Sequence, residues 1–174
     1  MKIIVRVLKF VVVIIMGVSL SYLLTSCSSD SPVESGSVSA DIIPVLPGVT
    51  IGSVNYDDSE IESAFMNTGT HARFASAYGT AYTSSLKETM IELISITIDG
   101  LGGSGANFAE CCNSIESIKE TRCLPCVAES AKYKGSDVWI IAFNIGLDEN
   151  GLNSTAVYAV DKSSKEILYS SSSK

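Results

Sequence analysis

The chain has 174 residues, 46% of them hydrophobic and 18% charged, with 12 Lys and Arg against 19 Asp and Glu and a formal net charge of −7. Nucleic acid is excluded as a partner on this balance, because phosphate neutralisation needs clustered Lys and Arg and here they are scattered and outnumbered. The negative field is read as a source of solubility, and the length suits one folded domain rather than two once leading segments are set aside.

Lys2, Arg6 and Lys9 form a basic start, and Phe10 to Leu24 an apolar run broken only by Gly17, Ser19 and Ser21. Crossing a hydrocarbon layer of about 30 Å takes roughly 20 apolar residues, and the run is followed by serines rather than a basic stop-transfer flank. It therefore reads as a secretory signal. Leu24-Thr25-Ser26-Cys27 resembles the lipobox of bacterial lipoproteins, an aliphatic residue and two small ones before the cysteine that is lipidated. That resemblance implies cleavage before Cys27 and a thioether-linked diacylglyceryl group, with palmitate-type chains, on its sulfur. Several acyl chains at about 0.8 kcal/mol per buried CH₂ make such attachment permanent, where one chain alone is marginal. Ser28 stands where an inner-membrane retention signal would have aspartate, so the resemblance implies the outer membrane, with the periplasmic or external face left open. The chain thus divides into a signal over 1–26, a lipidated Ser-, Gly- and Pro-containing tether over 27–40, and one globular domain over 41–174.

Within that domain, Val49 to Tyr56 suits an edge strand. Asp57-Asp58-Ser59-Glu60 supplies capping chemistry for a short helix carrying Ile61, Ala64 and Phe65, ended by Asn67 to Thr70. Phe74, Tyr78 and Tyr82 recur every four residues and suggest a second helical face, weakened by Gly79. Over Ser84 to Ile98, Leu86, Met90 and Leu93 follow a helical stripe, whereas Ile94, Ile96 and Ile98 alternate as in a strand; helix is favoured at the start. After a glycine-rich break at Asp99 to Gly105, Phe108, Cys111, Cys112, Ile115 and Ile118 give the clearest helical face, with Asn107 or Ser104 as cap. Pro125 marks a new start, and Cys126 to Lys134 is expected to form two helical turns. From Asp137 the β-rich Val-Trp-Ile-Ile-Ala-Phe-Asn-Ile run is ended by the turn at Gly146 to Gly151. Thr155 to Asp161 and Glu166 to Ser170 make two more strands about a turn at Lys162 to Lys165. The expected fold is α+β: an N-terminal helical part packed on a C-terminal three-stranded antiparallel meander. Residues 157–170, VYAVDKSSKEILYS, resemble the hairpin of small secreted PepSY-like and cystatin-like domains, in which a strand ends in aspartate, turns, and returns through an aliphatic pair.

With Cys27 assigned to lipid, Cys111, Cys112, Cys123 and Cys126 remain, an even set in a chain bound for an oxidising compartment, so disulfides are the default expectation. A vicinal Cys111–Cys112 bridge is strained. Two schemes remain open: Cys111–Cys126 with Cys112–Cys123, or Cys111–Cys123 with Cys112–Cys126, each loop contributing about 3 kcal/mol in a chain-entropy model. Two such bridges would staple the helical part.

Cys123-Leu124-Pro125-Cys126 also has the C-x-x-C spacing of thiol oxidoreductases, with Arg122 as a cation that would favour thiolate; zinc binding by the four thiols is weighed below structural bridges. Gly100 to Gly105 matches G-x-G-x-x-G without the alternating β/α chain a dinucleotide fold requires. Gly102-x-Ser104-x-Ala106 imitates a nucleophile elbow, but His71 precedes the serine, against hydrolase order, and reads as a solvated turn residue. Asn153-Ser154-Thr155 reads as the start of a strand. These residues suggest no catalytic set, metal or cofactor. The functional expectation is a membrane-anchored, non-catalytic envelope domain that binds a protein, peptide or envelope component, with a thiol-disulfide redox lipoprotein using Cys123 and Cys126 as the alternative.

Overall fold

A computed structural model describes residues 45–66, 69–119, 121–146 and 151–173; the expected signal and tether, with Cys27, lie outside them. Strand β1 (Gly48–Tyr56) is followed by helices α1 (Asp58–Phe65), α2 (Gly69–Tyr78), α3 (Ser84–Gly100) and α4 (Gly105–Ser114) and a 3-10 turn (Glu116–Ile118). Four strands complete the order: β2 (Arg122–Tyr133), β3 (Ser136–Gly146), β4 (Ser154–Asp161) and β5 (Ile167–Ser173). They form one sheet in the order β1-β2-β3-β4-β5, with β1 parallel to β2 and the other neighbours antiparallel.

The sheet corrects the expected three-stranded meander to five strands of mixed direction. One added strand is β1, whose Val49 and Ile51 lie opposite Ala128 and Ser130. A parallel pair needs a long crossover, and the four helices supply it. The other is β2, where Cys126 to Tyr133 is strand and not helix, with Lys134 in the turn that follows. Its hairpin with β3 closes through Lys134 and Gly135 at φ of 48° and 89°, directly between the paired Tyr133 and Ser136. Two central residues of positive φ match the right-handed twist of the flanking strands. Pro125 cannot donate to the ladder, and the register slips by one residue between Pro125 and Val127, leaving Cys126 as the extra residue of a bulge.

Helices cover both faces of the sheet. Ile94 and Ile98 of α3, Phe108, Cys111 and Cys112 of α4, and Ile115 and Ile118 pack with Ala128, Trp139, Ile141, Phe143 and Val160. On the other face Ile61 and Phe65 of α1 and Phe74 of α2 pack with Val138, Ile140, Ala142, Val157 and Ala159, joined by Met90 from the start of α3. Burial on both sides explains why β3 and β4 read as nearly continuous apolar runs. The Ile94, Ile96, Ile98 ambiguity resolves as helix: Ile94 and Ile98, four apart, are fully buried and Ile96 is 60% exposed.

Caps appear where side chains can satisfy the first free N–H groups of a helix. Asp57 accepts from Glu60 N while Glu60 returns to Asp57 N, a capping box. Thr83 and Ser104 accept from Leu86 N and Asn107 N. The glycine-rich segment is a turn between α3 and α4: Gly102 has φ +83°, and a Cβ on Gly105 would lie 2.2 Å from the Ser95 carbonyl oxygen.

The expected disulfide staples are corrected too: Cys111, Cys112, Cys123 and Cys126 are buried free thiols. Cys111, Cys112 and Cys123 belong to the cluster beneath α3 and α4, and Cys126 to the cluster on the opposite face. Each expected scheme joins Cys126 to a cysteine of α4, a bond that would have to pass through the sheet. Reading residues 126–134 as helix hid this, because a strand sends its neighbours to opposite faces.

Candidate functional site

The site is built at the end of the sheet where β3 begins and β4 finishes. Trp139 lies between Ser130 of β2 and Val160 of β4, so its side chain shares their face, under α4. Its Nε1 donates to Asn107 Oδ1 at 2.9 Å, and Asn107 Nδ2 donates to the Lys162 carbonyl at 2.8 Å. One amide of α4 therefore fixes both the indole and the chain leaving β4. Phe108, on the next position of the helix, meets the indole edge to face at 5.5 Å.

Lys162 folds back over this platform. Its Nζ lies 4.6 Å from the Trp139 ring centroid and donates to Ser130 Oγ at 2.5 Å. Four other lysines pair with carboxylates, Lys119 with Glu116, Lys132 with Asp137, Lys134 with Asp58 and Lys165 with Glu110. Among the described residues Lys162 has no such salt bridge; a hydroxyl and an aromatic face hold it instead. Burial lowers its pKa from the ordinary lysine value, with Asp137 acting the other way. An open cleft of about 320 Å³ beside it is lined by Ile51, Ser104, Ser130 and Trp139 among others. Its chemistry is that of recognition: a cation and hydroxyls at the edge of an apolar wall.

A second polar cluster clamps α2 to the sheet on the opposite face. His71 Nε2 lies 2.5 Å from the Phe65 carbonyl and Nδ1 lies 2.9 Å from Asn144 Oδ1. Asn144 Nδ2 donates to the carbonyls of His71 and Leu152, which turns its oxygen toward the ring. Cys126 Sγ is 3.2 Å from Nδ1 and donates to the Ala142 carbonyl at 3.3 Å. Cysteine, histidine and asparagine together can make a nucleophile, but Cys126 is fully buried. Burial pushes its thiol up to about 12, opposite to the lowered value a reactive thiolate requires.

The remaining thiols are also raised by burial, that of Cys112 furthest, with Cys111 and Cys123 adding to it; Cys111 and Cys123 are offset in part by Lys165 and Lys87 respectively. Cys123 and Cys126 lie three residues apart on a strand, about 10 Å at the usual rise of about 3.3 Å per residue, beyond the roughly 7 Å limit for bridging. No helix N-terminus faces either of them through a strand-to-helix turn, because both sit within β2. Among the described residues no three His, Cys, Asp or Glu side chains converge to hold a metal ion.

The structure thus separates residues that sequence spacing had grouped. Ser104 caps α4, and Ser154 begins β4 as expected. His71, read as a solvated turn residue, is a buried clamp. The cleft residues were missed: Lys162 was read only as part of a turn, Asn107 as one of two cap options, and Trp139 as a strand residue. The one available signal was the single tryptophan, whose N–H needs a partner when buried.

No protein-family model, curated protein or solved structure matches the chain. The class defined here is a three-layer α/β/α domain, with a mixed five-stranded sheet, buried thiols on both faces and a lysine-bearing cleft.

Proposed function

We propose that the chain is a lipid-anchored envelope protein of the outer membrane, held through Cys27, whose folded domain binds a ligand rather than transforming one. The anchor rests on the basic start, the apolar run and the Leu24-Thr25-Ser26-Cys27 sequence. The observation carrying the binding half is the cleft at Lys162, an open recess presenting a cation that makes no salt bridge among the described residues. The redox alternative is disfavoured by the opposite-face placement of Cys123 and Cys126 and by burial of all four thiols.

Fractionation of cells making the full chain tests the anchor. The native chain is expected in the outer-membrane fraction, labelled by a palmitate analogue, and Cys27→Ser is expected unlabelled. Equal labelling of both would overturn the assignment of Cys27.

A further inference from the structure

We infer that the cleft between the start of α4 and the β3–β4 end of the sheet binds a compact oxyanion, a carboxylate or phosphate group, through Lys162, Ser104 and Ser130. This names the ligand class for the binding role proposed above and rests on that reading.

Two features converge on negative charge. First, acidic residues outnumber basic ones 19 to 12 in this chain, yet among the described residues the Lys162 ammonium makes no salt bridge: a hydroxyl and an indole face hold it, and the nearby Asp137 carboxylate is paired with Lys132. A carboxylate partner is easily found on such a surface, so an ammonium that makes no salt bridge at the wall of a recess is suited to a charge that arrives with a ligand. Second, both serines have hydroxyl protons to offer. Ser104 Oγ accepts from Asn107 N and Ser130 Oγ accepts from Lys162 Nζ, so each oxygen is engaged as an acceptor and its O–H remains a donor.

The same geometry limits the ligand. The face of Trp139 is occupied by the ammonium and the residue is only 2% exposed, so an aromatic ligand has no ring to stack on. Ligand pockets typically span about 300–1,000 Å³, and at about 320 Å³ this recess suits one head group with a short aliphatic portion against Ile51. Lysine presents a point charge where a bidentate fork would need arginine, so either oxyanion geometry is served. Asn107 is a positioning residue: its two hydrogen bonds set the indole and the Lys162 backbone.

The single tryptophan makes its emission specific to this cleft. Full-length protein extracted in detergent is titrated separately with sodium phosphate and sodium acetate, against sodium chloride at matched ionic strength. A saturable change in Trp139 emission is expected with phosphate, acetate or both, and none with chloride. Response to phosphate alone assigns a phosphate group and to acetate alone a carboxylate. Lys162→Gln keeps a hydrogen-bond donor without the charge and is expected to weaken the response at least tenfold; Ser104→Ala, which leaves the ammonium over the indole, is expected to weaken it several-fold. Titrations that never rise above the chloride control, or native affinity retained by folded Lys162→Gln or by Ser104→Ala, would overturn the oxyanion site. Palmitate labelling and fractionation read the anchor separately, so failure here does not register as failure there.

Discussion

At the scale of single residues, buried polar atoms decide more than the cysteine spacing does. His71 provides ring nitrogens for the oxygens of Phe65 and Asn144 and is itself only 6% exposed. Replacing it by alanine removes the ring N–H from this pair of oxygens and opens a cavity, and His71→Ala is expected to lose about 2–4 kcal/mol in chemical denaturation. A loss under about 0.5 kcal/mol would show that the clamp between α2 and the sheet is not needed. The thiols follow the same logic with opposite chemistry. A thiol in an apolar site gains nothing from ionising there, so each cysteine behaves as a small hydrophobic group. Spacing alone could not reveal this, because C-x-x-C takes its meaning from the element that carries it.

At the scale of elements, the legible parts were those whose signal is local. The α1 cap, the α4 face from Phe108 to Cys112 and the β3 and β4 runs were read from caps, periodicity and β-branched composition, and each is present; Ile115 and Ile118, expected on the same helix, fall at its C-cap and in the 3-10 turn. β2 was missed for two physical reasons. Its turn puts lysine where asparagine or aspartate is the familiar residue of positive φ, and its bulge at Cys126 breaks strict alternation. β1 was legible as a strand, but its parallel partner lies beyond four helices and no local pattern encodes that pairing. The cleft was illegible for the same reason, since Asn107, Ser130, Trp139 and Lys162 come from one helix, two strands and a turn. Close packing between elements gives a sharp test at Gly105, where any Cβ meets the Ser95 carbonyl in α3. Gly105→Ala is expected to cost about 1–3 kcal/mol by overpacking, despite alanine's better helix propensity. Thermal unfolding checks it, and an unchanged or raised midpoint would contradict the close approach of α3 and α4.

At the scale of the whole molecule, ionisable groups bracket stability from both sides. The Asp57 and Asp161 carboxylates accept backbone N–H bonds that hold their pKa values below the usual carboxylate range. Their contribution is complete above the unfolded value near 4 and is lost as pH falls below it. The four thiols are held above their ordinary value by burial. Their contribution is complete below the unfolded value of about 8.5 and falls as pH rises past it, since only the unfolded chain then ionises them freely. The midpoint of unfolding is expected to be level between about pH 5 and pH 8, to drop on the acid side, and to drop on the alkaline side less steeply in Cys112→Ala. An alkaline limb identical in that variant would remove the thiols as its cause.

The most direct test of a lipid-anchored binding domain with non-redox thiols is the intact mass of the membrane-extracted chain, alkylated once in the native state and once after denaturation. The expected mass is that of a chain beginning at Cys27 with added acyl groups, taking no alkyl label when native and four when unfolded. An unlipidated chain that retains residues 1–26, or a pair of thiols labelled in the native state, would contradict it.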